Sequence, residues 1–257
     1  TRSSAASDVY KRQTLYGATM GQSVQVPVIP QGDWTITSGQ FVYLGARPDG
    51  SPHMINGDLT LETGSGLQLA STAVILPSDG TVNVQGSAQL LGDASSITAQ
   101  SFTMGFDSIL SSGSADAFTV NGNVSWACQT LRTSEGVEIN GNLALQPGCK
   151  LDIVAGSVSG SVTALTGAEL NILSELNIRV LDQGDPVEGA VISVDGAIAS
   201  TDTQGRLSTT ATARQVTDSS ETIGGIKNIN LQIGSFTDFV TWDSTTSFDH
   251  TFMASRI

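Results

Sequence analysis

A nine-residue pattern returns four times in this chain: apolar-x-apolar-x-Gly-x-apolar-x-apolar, loosest at its first and seventh positions. It reads HMINGDLTL at 53–61, VNVQGSAQL at 82–90, FTVNGNVSW at 118–126 and VEINGNLAL at 137–145. Each copy is two short strands whose alternate residues are buried, bent at the glycine. Repeated strand-corner-strand units imply a coil whose rungs bury one another, because one unit cannot cover its own apolar face. The copies start 29, 36 and 19 residues apart, so the rungs differ in loop length.

Between the copies the text is similar. Gly followed by one or two residues and then apolar-x-apolar occurs at Gly66-Leu67-x-Leu69, Gly80-x-Val82-x-Val84, Gly136-Val137-x-Ile139, Gly148-x-x-Leu151-x-Ile153 and Gly167-x-x-Leu170-x-Ile172. Three strands per rung make a coil of about 20 residues, so residues 31–173 predict about seven rungs and a stack of about 35 Å. Alternation alone also suits an antiparallel sandwich. Scarce hairpin words favour the solenoid, and the repeated Asn-Gly predicts an asparagine ladder along one corner.

The pattern changes near Ser174. Leu176, Ile178 and Val180 predict one buried face, Asp185-Pro186 a turn and Asp195-Gly196 a hairpin. Strands are expected at Val191 to Val194, Ile229-x-Leu231-x-Ile233, Phe236 to Trp242 and Phe248-x-His250-x-Phe252. Several short strands without helical periodicity make a small β-sandwich. The fold class is therefore all-β: a parallel β-solenoid over 31–173, then an immunoglobulin-like β-sandwich over 174–257, with 14–30 as a lead-in containing a strand at Val24–Val28.

Charge and composition narrow the partners. The chain carries 24 acids and 11 bases, a net charge of −13, with only 14% charged residues. An acidic balance without clustered Lys and Arg excludes nucleic acid as a partner and disfavours anionic membrane surfaces. No apolar run is long enough to span a bilayer. Cys128 and Cys149 stand 21 residues apart, on neighbouring rungs if a rung takes about 20, with strands about 4.8 Å apart. That separation fits a disulfide, which an extracellular setting favours. Aligning the copies at 118 and 137 instead sets Cys128 opposite Pro147, so buried reduced thiols and a reactive site stay open.

Chemistry-bearing constellations are sparse. A polysaccharide lyase needs a positioned Arg or Lys base, and residues 31–173 hold only Arg47, Arg132 and Lys150. Arg132 and Lys150, with Glu135 and Asp152 nearby, read as surface ion pairs on adjacent rungs. Asp107 with Asp116 is the carboxylate pair a hydrolase would require, though Asp in Gly/Ser-rich turns is commonly a turn former. Asp182, Asp185, Asp195 and Asp202 are the candidates for a Ca²⁺ site at one end of the sandwich; otherwise no cofactor is expected. Phe236, Phe239, Trp242, Phe248 and Phe252 read as core with one exposed ring. The rival is a sugar platform using Trp34, Phe239 or Trp242. His53 opens a repeat, and His250 is expected half-buried between phenylalanines. Asn123-Val124-Ser125 is a glycosylation triplet.

Three stretches carry resemblances. Residues 1–13, TRSSAASDVYKRQ, resemble translated sequencing-adapter read-through and read as non-native. The solenoid region resembles right-handed parallel β-helix, pectin-lyase-like repeats. Val180-Leu-Asp182…Pro186-Val187-x-Gly189-Ala190-x-Ile192-x-Val194…Thr201-Asp202-x-x-Gly205 resembles the carboxypeptidase-regulatory-like, transthyretin-like domain of immunoglobulin type. Together they are similar to modular surface proteins of environmental archaea and bacteria. That resemblance implies an extracellular, non-catalytic spacer or adhesion fragment. Its partners would be other modules of the same polypeptide, surface glycans or neighbouring surface proteins. A carbohydrate- or Ca²⁺-binding module and a carbohydrate-active β-helix enzyme are the alternatives.

Overall fold

The computed structural model describes residues 29–112 and 116–254. The readings of residues 1–13 and of a strand at Val24–Val28 lie outside them. Among the described residues every regular element is a strand.

From Trp34 to Leu173 the strands stack in parallel as a solenoid of about six turns. On one face the register runs Trp34, Leu59, Val82, Phe102, Val124, Leu143, Val162. The rungs therefore shorten from 25 residues to 19 towards the C-terminal end. A second face stacks His53, Val74, Ile97, Val120, Ile139 and Val158. A third stacks Leu67, Leu90 and Leu110, and later Ile153 and Ile172. All three columns point inward and build one continuous apolar core. Ser134 interrupts the third column; it is fully buried, and its hydroxyl donates to the Leu110 carbonyl on the rung below.

The corner between the first two faces explains the Asn-Gly repeat. Copies 53–61, 118–126 and 137–145 all cross it, but copy 82–90 crosses the next corner, between strands Thr81–Val84 and Gln89–Asp93. A further copy, Val158-Ser-Gly160-Ser-Val162, takes the place the pattern had left empty on the last rung. Rungs stack so closely here that a Cβ on Gly141 would sit 2.1 Å from the Gly122 carbonyl oxygen. Asn140 Nδ2 donates to Asn121 Oδ1 at 3.1 Å, and Asn121 Nδ2 to Thr98 Oγ1 at 3.1 Å, the expected ladder.

A second ladder runs beside it. Asn123 Oδ1 accepts the Asn142 N–H at 3.1 Å, and Asn142 Oδ1 accepts the Ser161 N–H at 3.0 Å. Asp33 and Asp58 do the same at the other end of the stack. Each side chain thus satisfies a backbone donor that the bend removes from the sheet.

The corner that copy 82–90 crosses is a β-turn on most rungs, with the fourth residue donating to the first: Ser65 to Glu62, Ala88 to Gln85, Ser108 to Gly105, Cys149 to Gln146 and Ala168 to Leu165. The small fourth residues are buried. Cys149 belongs to this column and is joined to Cys128, with Cα atoms 4.6 Å apart. The strands Arg132–Glu135 and Lys150–Val154 keep a 19-residue register, so the turn absorbs the two-residue excess in the cysteine spacing.

The solenoid gives way to the sandwich without a linker. The predicted change at Ser174 falls inside one strand, Glu169–Asp182. Its first five residues form the last rung against Lys150–Val154, and its last seven pair with Phe248–Ala254. Strand Arg206–Thr217 runs antiparallel along nearly all of it. Ala213 and Val216 of that strand belong to the solenoid core, so it covers the last rung. A second sheet, Ala197–Ser200, Val191–Val194, Ile226–Ile233 and Phe236–Asp243, is antiparallel throughout. Leu176, Ile178, Val180 and Phe252 of one sheet pack on Ile192, Ile229, Leu231 and Trp242 of the other.

Candidate functional site

A groove lies across the corner between the third and second faces. Ala46, Ser71, Ala94 and Ala117 stack there, and with Ser95, Ser96 and Thr119 they line its volume of about 410 Å³. The corner turns through residues in the left-handed region, Ser71 at φ 49° and Ala94 at φ 43°, and the residues stacked along it are short. The walls are therefore methyl and hydroxyl groups. Its one base, Arg47, is tied back, donating from Nη1 to the Pro52 carbonyl at 3.2 Å. Asp49 beside it accepts the Ser51 hydroxyl at 2.7 Å and the Ser51 N–H at 3.0 Å, bonds that hold its carboxyl below the usual carboxylate range. Such a surface can hydrogen-bond a polar ligand, but the base and the acid at its edge are each held by neighbouring groups.

The other charged candidates are dispersed. Arg132 pairs with Asp107, one rung back, and Lys150 Nζ lies 3.9 Å from Glu169 Oε2, one rung forward. Neither pairs with Glu135 or Asp152. Asp152 Oδ1 instead accepts Asn171 Nδ2 at 2.9 Å, and Gln215 Nε2 donates to Asn171 Oδ1 at 3.1 Å. This polar row ties the capping strand to the last rungs. Asp107 and Asp116 lie on either side of the strand Ile109–Ser112, Asp107 already engaged by Arg132.

The four sandwich aspartates do not converge. Asp182 and Asp185 face each other across a tight turn. Asp195 turns the hairpin at one end of Val191–Val194, where it accepts the Asn228 N–H at 3.0 Å and pairs with Lys227 at 3.1 Å. Those contacts hold its carboxyl below the usual range. Asp202 follows the other end of the hairpin and accepts the Gln204 and Arg206 N–H groups, both at 2.8 Å. Both therefore act as turn formers. Among the described residues no three His, Cys, Asp or Glu side chains come close enough together to hold a metal ion.

The aromatic candidates divide in the same way. Trp34 is 8% exposed and Trp242 1%, its Nε1 donating to the Thr246 carbonyl at 2.7 Å, whereas Phe239 is 70% exposed. A single ring makes no platform. His250 is half-buried, stacked on Phe248 at 5.8 Å and edge-on to Phe252 at 4.5 Å. His53 is buried with Nε2 2.9 Å from the Gly45 carbonyl. Asn123 is exposed, with its amide oxygen committed to the corner ladder.

Several buried hydroxyls escaped the apolar pattern, Ser134 and Thr201 among them. Thr201 Oγ1 donates to the Val187 carbonyl at 2.6 Å and accepts the Ala190 N–H at 3.0 Å, fastening the base of the hairpin. The polar residue directly before each strand of the first face was a readable signal for the second corner ladder. No protein-family model matches the chain, and no curated protein matches it significantly. No helix among the described residues is long and apolar enough to cross a membrane.

Proposed function

We propose that the chain is a non-catalytic spacer within a larger secreted or cell-surface protein: a stiff solenoid stalk ending in a sandwich that serves as its joint. The observation that carries this reading is the strand Glu169–Asp182, shared by both regions. A bend at the junction would have to break its eleven-residue pairing with Arg206–Thr217, together with the polar row Asp152, Asn171 and Gln215. A covered last rung also removes an open sheet edge that would invite aggregation. The disulfide supports an extracytoplasmic setting, where such bonds persist. The Pro186-Val187…Thr201-Asp202 resemblance to carboxypeptidase-regulatory-like domains supports an immunoglobulin-type module in a modular surface protein. The methyl- and hydroxyl-lined groove, with its one base tied back, fits display better than catalysis.

Labels at the exposed positions Thr35 and Asn230, introduced without cysteine, test the stalk by pulsed electron spectroscopy. One narrow distance distribution is expected, and a broad one removes the spacer role. Release of reducing ends or unsaturated products from acidic or neutral polysaccharides would replace it with an enzyme.

A further inference from the structure

Among the described residues the basic side chains are few and almost all are engaged. Arg132, Lys150, Arg214 and Lys227 each meet a carboxylate, and Arg47 a carbonyl. Arg179 and Arg206 are the exceptions. They stand directly opposite each other on neighbouring antiparallel strands, both exposed, and neither guanidinium has an ion pair or hydrogen bond among the described residues. Like charges facing each other across a sheet are destabilising. Arginine cannot shed its proton to relieve the repulsion. A chain with 24 acids and 11 bases has set two of its bases side by side with no acid between them.

The neighbours complete the arrangement. Thr251 lies on the other side of Arg179, so one outward row reads Thr251, Arg179, Arg206. Two residues along, roughly 7 Å away, the next row reads Asp249, Asn177, Ser208. The Ser208 hydroxyl donates to Asn177 Oδ1 at 2.8 Å, which leaves the Asn177 amide N–H groups as donors. These six residues line a shallow pocket of about 350 Å³, with Ile178 and His250 contributing to its lining.

We propose that this pocket binds an acidic sugar unit of a polysaccharide. Its carboxylate or sulfate group sits between Arg179 and Arg206. Paired guanidiniums suit a planar or tetrahedral oxyanion, each N–H donating to an anionic oxygen. The second row suits hydroxyls: the Asn177 amide donates and the Asp249 carboxylate accepts. A free inorganic anion would have no use for that row, and Asp249 would repel it. The open sheet surface lets the polysaccharide chain continue on either side. The surrounding acidity is screened beyond about 10 Å at 0.1 M salt, so recognition is local. This proposal goes beyond the spacer role and stands or falls apart from it.

Calorimetry of the full chain tests it against four probes: oligogalacturonate, a sulfated glycan, a neutral glucan and inorganic sulfate. Arg179→Gln and Arg206→Gln are the site variants, and Arg214→Gln, on the same strand but paired with Glu221, is the control. Binding of oligogalacturonate or the sulfated glycan is expected, weakened about tenfold or more by either site variant and unchanged in the control. The arm that binds names the anionic group. Without ligand, Arg206→Gln should leave the melting temperature equal or higher. A lower value would give Arg206 a structural role and overturn the assignment. So would no binding in any arm, binding of inorganic sulfate alone, equal binding of the neutral glucan, or binding that survives replacement of both arginines.

Discussion

The solenoid and the sandwich use the same alternating strands, yet neighbours are chosen by different rules. In the solenoid each strand lies parallel to one a full rung away, and like residues stack on like: Ile97, Val120, Ile139, Val158. In the second sheet of the sandwich each strand is antiparallel to a neighbour, and unlike residues meet, as Asn230 meets Phe239. A solenoid position therefore answers to whatever lies 19 to 25 residues away. A position in that sheet answers first to its nearest turn. Glycine shows the contrast. Gly141 is required because the rung below is too close for any side chain, whereas a Cβ on Gly196 would meet nothing within 4 Å, and only its φ of 90° demands glycine. The strand Glu169–Asp182 obeys both rules at once, stacked on a rung at its start and facing a second sheet at its end.

The sharpest way to separate the two regions is the disulfide. Cys128→Ser with Cys149→Ser opens a loop of 21 residues within the rungs, and the expected loss is about 3 kcal/mol. Trp126, buried two residues from Cys128, should report it, while Trp242 in the sandwich should keep its native emission at the temperature where the rungs first loosen. Loss of both signals together would mean that the shared strand makes one cooperative unit. Next comes Gly141→Ala, which drives a methyl against the Gly122 carbonyl and should cost about 2 kcal/mol. Gly196→Ala, strained only in φ, should cost about 1 kcal/mol. Equal losses, measured by chemical denaturation, would erase the distinction between stacking and turn glycines.

These contrasts explain what the amino-acid text made legible. Period-2 burial, the Asp195-Gly196 hairpin and the asparagine ladder rest on local chemistry, and they were readable. That one strand runs through the change near Ser174 was not, because alternation continues across it unbroken in ELNILSELNIRVLD. The pattern did not separate copy 82–90 from the others, because two different corners both take Gly after an apolar-x-apolar pair. Val158-Ser-Gly160-Ser-Val162 was missed because serine replaces asparagine in the ladder. Ion-pair partners follow the axial register: Arg132 reaches Asp107, 25 residues away, and not the acid three residues on. Arg179 and Arg206 escaped notice because only the antiparallel register, not the spacing along the chain, places them side by side.

Smaller effects probe the polar contacts of each region. Asn142→Ala removes an acceptor used by both the N–H and the hydroxyl of Ser161, at 3.0 and 2.9 Å, and should cost about 1 kcal/mol. Hydrogen exchange should show the loss at Ser161 and Leu143, with the hairpin Val191–Ser200 unchanged. The smallest effect belongs to that hairpin. The backbone N–H of Asn228, and then Lys227, hold the Asp195 carboxyl below its ordinary value of 3.8. A carboxyl whose folded value is depressed stabilises the fold above its unfolded value, and the contribution fades as pH falls through the folded one. Wild type should therefore melt slightly higher than Asp195→Asn near neutral pH, with the gap closing as the pH drops below 3.8. A gap that stays constant through that range would mean that the amide-compatible turn geometry, and not the charge facing Lys227, holds the hairpin.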